Sequence, residues 1–277
     1  MTCCDGACTN LQDSESNCGS CGNTCPAGLA CSSGTCICTS FPGFQVQATF
    51  PAGTRPYGVV VSDFNGDGNL DIVATNNNAR TVSVLLGTGS GSFQPPAIFP
   101  VGSSPVGVAV GDFNNDGLLD IATANYGANT VSVLLGTGSG SFQPQAEFPV
   151  GFNPYDVAVG DFNNDGNPDI VAANSNSNSV GVLLGDGLGS FQPQAEFPVG
   201  SNPVSVAVGD FNGDGHLDIV AANVGANTVS VLLGTGSGSF QPYATFPRGP
   251  VHKVLQWATS TKMAISTSWL RIMAAIQ

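Results

Sequence analysis

Positive charge is scarce in this chain. Lys and Arg together number six against 19 Asp and Glu, a formal net charge of −13 over 277 residues. Four of the six basic residues lie in 248–277, which leaves Arg55 and Arg80 alone before that point. Nucleic-acid surfaces need clustered cations, so that class of partner is excluded. Histidine is limited to His216 and His252. No Ser–His or Cys–His constellation can be built from two such positions, and the chain is read as non-catalytic. No apolar run approaches the ~20 residues of a membrane-spanning helix, so no membrane insertion is expected. Cysteine is absent after Cys38.

All nine cysteines therefore crowd the first forty residues: Cys3, Cys4, Cys8, Cys18, Cys21, Cys25, Cys31, Cys36 and Cys38. A segment this short and this rich in Gly, Ser and Asn cannot bury enough apolar surface to fold unaided. Disulfides are the expected staples, in an oxidising extracellular or cell-surface setting. Zinc is the rival, because Cys18-x-x-Cys21 has ligand spacing, but no His accompanies it. Nine is odd, so one thiol lacks a partner within the chain. Asn17-Cys18-Gly19-Ser20-Cys21-Gly22, with Cys25-Pro26, Cys31 and Cys36, resembles the small Stig1-like cysteine-rich modules. Met1-Thr2-Cys3-Cys4 has neither the basic nor the apolar region of a signal peptide, so the start of the secreted protein is expected to lie upstream.

What the chain has in abundance is repetition. Asp63-Phe64-Asn65-Gly66-Asp67-Gly68-Asn69-Leu70-Asp71 recurs from Asp112, Asp161 and Asp210, at an interval of 49 residues each time. Every copy keeps Asp at positions 1, 5 and 9, Asn at 3 and Gly at 6. Carboxylate and amide oxygens at alternate positions of a tight loop suit a hard cation such as Ca²⁺, and Gly at position 6 permits a turn with positive φ. The candidate ligands of the first loop are Asp63, Asn65, Asp67, Asn69 and Asp71. Those of the second are Asp112, Asn114, Asp116, Leu118 and Asp120. The third supplies Asp161, Asn163, Asp165, Asn167 and Asp169, and the fourth Asp210, Asn212, Asp214, His216 and Asp218. Position 7 varies in side chain, as expected where only its carbonyl binds. About four Ca²⁺ are expected, one per loop. An Asp/Asn/Gly turn needs no metal, but three mutually repelling carboxylates repeated four times exceed what a turn requires. A helical EF-hand is excluded, because its position-12 Glu would fall on Ala74, Thr123, Ala172 and Ala221.

The 49-residue unit reads as four strands. In the third copy these are Asp156–Gly160, Asp169–Asn174, Ser179–Gly185 and an outer strand over Ser190–Phe197, with a polar turn at Ser175–Asn178. Four antiparallel strands per repeat predict an all-β fold, a β-propeller of four-stranded blades. The strings of the type Gly87-Thr88-Gly89-Ser90-Gly91 look phosphate-cradling, but each precedes a strand and not a helix, so they are hairpin turns. Asp-Phe-Asn-(Gly/Asn)-Asp-Gly together with Gly-Ser-Phe-Gln-Pro resembles the FG-GAP and VCBS repeats of integrin α-subunits and of many secreted bacterial proteins. That resemblance covers residues 41–247 and implies calcium at loop positions 1, 3, 5, 7 and 9 and a role in adhesion. Known members are commonly seven-bladed. Four full units and an extra leading outer strand, Phe44–Phe50, which could complete the last blade by pairing as a fastener, leave ring closure open.

The expected organisation is a cysteine-rich module over 1–40, calcium-binding repeats over 41–247 and an atypical tail over 248–277. The tail holds both tryptophans, Trp257 and Trp269. Back-translating it and shifting frame restores a repeat-like string whose first Asp falls at 259, which is 210 plus 49. A frameshifted fifth repeat is therefore expected.

Alternation of the loops puts calcium at one end of the blades and the more varied residues at the other. That second end carries Arg55, Tyr57, Asn77, Arg80, Tyr126, Phe152, Tyr155, Asp156, Asn176 and Asn202. Loops on a rigid scaffold gather binding functions, and aromatics and Arg make strong contacts. The expected function is recognition of an extracellular protein or glycan ligand. The alternatives are a carbohydrate-binding or substrate-targeting module of a larger secreted enzyme, and a structural spacer.

Overall fold

The computed structural model describes residues 48–247, together with four short strands near the start: β1 (Thr2–Cys4), β2 (Ala7–Thr9), β3 (Ala30–Ser32) and β4 (Thr35–Ile37). The chain divides into two compact units, Met1–Phe50 and Pro51–Gln277. In the first, β1 pairs with β2 so that Cys3 lies opposite Cys8, and β3 pairs with β4 so that Cys31 lies opposite Cys36. The rest of the cysteine-rich module, most of the leading segment and the tail with its expected frameshift lie outside the described residues.

In the second unit every repeat makes one antiparallel four-stranded sheet, in sequential strand order. The first blade is β5 (Pro56–Ser62), β6 (Asp71–Asn76), β7 (Thr81–Leu85) and β8 (Ala97–Pro100). The second is β9 (Pro105–Gly111), β10 (Asp120–Asn125), β11 (Thr130–Leu134) and β12 (Ala146–Pro149). The third is β13 (Pro154–Gly160), β14 (Asp169–Asn174), β15 (Ser179–Leu183) and β16 (Ala195–Pro198). The fourth is β17 (Pro203–Gly209), β18 (Asp218–Asn223), β19 (Thr228–Leu232) and β20 (Ala244–Pro247). The first strand of each blade opens on Pro, where no ladder N–H is needed, and a register shift follows at once.

The outer strand is shorter than the sequence reading. In the third blade it begins at Ala195, not Ser190, and Ser190–Gln194 contributes a single bridge, Gly185 to Phe191. Pro193 has no N–H to give a longer ladder. Phe191 is also turned into the seam between blades, where it packs edge-to-face on Phe113 and Phe148 of the preceding blade, with ring centroids 5.6 and 5.0 Å apart.

That seam recurs. Phe142 sits against Phe64 and Phe99, and Phe240 against Phe162 and Phe197. Each such pair adds about 0.5–1.5 kcal/mol beyond its buried area. The three apolar clusters all lie between neighbouring blades. Strands β10 and β14 are buried along their whole length because both faces are covered, which is why Ile-Ala-Thr-Ala and Ile-Val-Ala-Ala replace strict alternation. The inner strands pack in order, β5 on β9, β9 on β13 and β13 on β17. Among the described residues β17 makes no comparable contact with β5, so the four blades form an arc.

Candidate functional site

The four Asp/Asn loops connect the first and second strands of each blade. Position 6 (Gly68, Gly117, Gly166, Gly215) has φ between 83° and 86°, the left-handed conformation its glycine allows. Position 4 is also left-handed, at Gly66, Asn115, Asn164 and Gly213. The Gly/Asn alternation at that position was the sequence signal for it, since these two residues tolerate positive φ best.

Side chains at positions 1, 3 and 5 hold the loop together. In the first loop Asp63 accepts from the N–H groups of Gly66 and Gly68, both at 2.8 Å, and Asp67 accepts from Asn69 N–H at 2.7 Å. Asn65 donates to Asp67 at 3.0 Å. The position-5 bond recurs from Leu118 to Asp116, Asn167 to Asp165 and His216 to Asp214. These donors hold Asp63, Asp165 and Asp214 below the ordinary carboxylate range, with the N–H of Gly68, Asn167 and His216 respectively the leading cause.

Position 9 is different. Asp71, Asp120, Asp169 and Asp218 are fully buried, and each carboxylate ties two backbone N–H groups. Asp120 accepts from Phe113 at the loop start and from Gly136 at the start of the third hairpin, both at 2.7 Å. Asp71, Asp169 and Asp218 repeat this with Phe64 and Gly87, Phe162 and Gly185, and Phe211 and Gly234. The hairpin glycine is required by crowding, since a Cβ on Gly136 would meet the Leu119 carbonyl oxygen at 2.3 Å. This tie was not legible in the sequence. Burial pushes Asp120 and Asp169 up to about 6, and the other loop carboxylates, Asp116 and Asp112 or Asp165 and Asp161, add a smaller rise. Asp218 is raised for the same reasons.

Whether Ca²⁺ suits these loops turns on the donors. All are hard oxygens, those that accept a single bond, such as both of Asp67, retain a further lone pair, and the three acidic groups of a loop lie within one another's field. The donor chemistry fits. The side chains are aimed at their own backbone, and among the described residues no three acidic, His or Cys groups converge as a metal-holding cluster. Position 7 has a second use. Asn115 donates to Asn167 of the next blade at 2.8 Å, and Asn164 meets His216 of the next at 2.9 Å.

At the opposite end the connection into each blade meets the turn between its second and third strands, as where Asn77 N–H donates to Arg55 O and Tyr126 N–H to Ser104 O. Tyr155 gathers two tyrosines from other blades, Tyr57 at 5.7 Å and Tyr126 at 6.1 Å, both edge-on. Tyr57 and Phe152 are exposed. Asp156 does not face solvent as a free acid. It bridges two inner strands, accepting from Ser205 Oγ at 2.9 Å and Val206 N–H at 3.1 Å, and burial raises its pKa. Asn77, Asn176 and Asn202 are likewise engaged, with Pro105 O, Asn153 and Ser175 as partners. Arg55 and Arg80 are exposed and sit at φ 58° and 57°, where the other blades place Ser104, Asn153 and Asn202, or Asn129, Asn178 and Asn227.

Left-handed geometry costs an ordinary residue roughly 1 kcal/mol. Arg80→Asn is therefore expected to raise the melting temperature by roughly 1–4 °C. A fall on differential scanning calorimetry would show that the guanidinium makes a compensating contact.

A family model described as an FG-GAP-like repeat matches residues 63–123, 112–172, 161–221 and 210–261. Comparison with curated protein sequences returns no match. Among solved structures the chain resembles a functionally unknown protein from Desulfotomaculum acetoxidans at 14% identity and TM-score 0.53, over 71% of this chain and 57% of that one. It resembles a streptogramin B lyase at 22% identity and TM-score 0.50, over 72% and 56%. An Agrocybe aegerita lectin that recognises non-reducing terminal N-acetylglucosamine is similar at 23% identity and TM-score 0.46, over 67% and 50%. The chain thus spans between 50% and 57% of the length of these structures.

Proposed function

We propose, from the premise that this chain belongs to the FG-GAP-like repeat family, that it is a non-catalytic recognition propeller of the cell exterior whose loops bind Ca²⁺. Calcium would be held by the side-chain oxygens at positions 1, 3, 5 and 9 and the position-7 carbonyl of each loop. It would neutralise three carboxylates per loop and stiffen one end of each blade. Fourfold repetition of an oxygen-only donor set supports this.

The observation that carries recognition is at the other end. Tyrosines from three blades cluster at the end of the blades that also carries two arginines held in a backbone conformation that disfavours them. Local strain of this kind persists at binding sites more often than elsewhere, and Arg and Tyr dominate binding hot spots. The aromatics differ from blade to blade, whereas a sugar pocket would repeat with the blades, so a protein ligand is favoured over a glycan. Probing arrays of extracellular proteins and of glycans with the full chain should give binding that Tyr57→Ala and Arg55→Ala abolish. Binding that survives both substitutions, or no binding on either array, would sink the reading.

An exterior setting also requires the N-terminal cysteines to be paired. Intact mass before and after reduction should differ by about eight protons in protein made under oxidising conditions. Eight or more free thiols, or stoichiometric zinc, would contradict it.

A further inference from the structure

Each seam between blades has two halves. The leading blade offers one face of its sheet, and the following blade inserts residues of its first strand and hairpin into it. Val157 and Val206, which open the second and third seams, are 5% and 6% exposed. Val108 and Val110 pack into the first seam, and Val159 and Val208 into the later two. The same two repeat positions in the first blade are Val59 and Val61, and these are 58% and 51% exposed. Leu70, whose counterparts Leu119 and Leu217 pack into seams, is exposed too.

The last blade shows the other half. Val171 and Val180 of the third blade and Val73 and Val82 of the first are fully covered by the blade that follows. Their counterparts in the fourth blade, Val220 and Val229, are only partly buried, as is Phe211, whereas Phe64, Phe113 and Phe162 are buried. The backbone shows the same pattern, with Gly140 donating to Phe64 O, Gly189 to Phe113 O and Gly238 to Phe162 O across the three seams. Among the described residues, the chain thus presents both halves of a contact it already makes three times.

We infer that the open face of the fourth blade receives the first blade of a second copy of this chain, reproducing the internal seam between subunits. The contact is heterologous, so copies joined by it close a ring where the rotation between them closes and extend head to tail where it does not. The occupant is identified by continuity with the internal interfaces, because the surface exposed on each end is the surface those interfaces bury. The inference is independent of calcium and of the ligand-binding face.

The test is the solution mass of the full chain by light scattering at micromolar concentration, with and without reductant. Twice the 27.9 kDa chain mass, or a larger head-to-tail assembly, is expected. Val61→Glu and Val229→Glu each place a charge in one half of the seam and should give single chains with an unchanged first melting transition. Ile98→Glu, on the exposed outer strand where the second and third blades already carry Glu147 and Glu196, should leave the assembly intact. A single-chain mass for the unmodified protein overturns the inference, as does an assembly that survives Val61→Glu.

Discussion

Calcium is expected to raise the melting temperature of this chain by roughly 5–20 °C over EDTA. The range follows from binding linkage. Extracellular calcium modules bind at roughly 0.1–1 mM, so 1 mM Ca²⁺ stabilises the fold by about 0.4–1.4 kcal/mol per loop. Four loops give about 2–6 kcal/mol, and each kcal/mol shifts the melt of a domain this size by about 2–4 °C. Mg²⁺ should substitute poorly, because it demands a smaller and more rigid octahedral shell. Asp165→Ala should lose about a quarter of the calcium-dependent shift if the loops act independently. Scanning calorimetry in EDTA, Ca²⁺ and Mg²⁺, with isothermal titration of Ca²⁺, is the measurement. Coincident melts and no heat of binding at millimolar Ca²⁺ would show that the loops are turns held by their own backbone hydrogen bonds.

Removing one position-9 carboxylate should cost more than removing any other loop residue. Asp120→Ala deletes two short bonds to Phe113 and Gly136 N–H. It leaves those donors unsatisfied beneath a buried surface, at about 1–3 kcal/mol each. A loss of roughly 2–5 kcal/mol is expected in EDTA as well as in Ca²⁺. Asp116→Ala, at an exposed position of the same loop, should cost little in EDTA and act through the calcium-dependent part. Urea titrations of the two variants with and without metal separate a buried tie from a surface ligand. Equal losses for both in EDTA would refute the distinction.

The same residues set a pH dependence. Asp120 and Asp169 stand at about 6 in the fold, above an ordinary Asp at about 3.9. Between these values the folded state holds protons that the unfolded state has released, so stability in EDTA rises as pH falls from 7 towards 4. Asp63, Asp165 and Asp214 are depressed and act in the opposite direction, losing their contribution as pH falls below the ordinary range. In Ca²⁺ the upper window should reverse, because protons compete for position 9. Stability that falls between pH 7 and 5 in EDTA would show that burial does not raise these carboxylates.

Much of the architecture was legible residue by residue. The 49-residue period delivered four sheets, the position-6 glycines adopt the positive φ their identity suggested, and the Gly-rich strings are hairpin turns. These features are local: each depends on backbone conformations that a few neighbouring residues select by sterics alone. The outer strand was misjudged because Phe191 and its counterparts alternate like strand residues, yet their burial belongs to a neighbouring blade.

By itself, then, the sequence determined the repeat, the turns, the oxygen-rich loops and the all-β class. Only the tertiary structure decided that position 9 is a buried tie to the third hairpin, that Asp156 bridges inner strands, and that tyrosines 57, 126 and 155 meet across three blades. It alone showed the terminal blades presenting matching halves of one seam. The physical reason is that these contacts join residues dozens of positions apart, through packing and hydrogen bonds between repeats. A local pattern records what each repeat does to itself, and not what it does to the next.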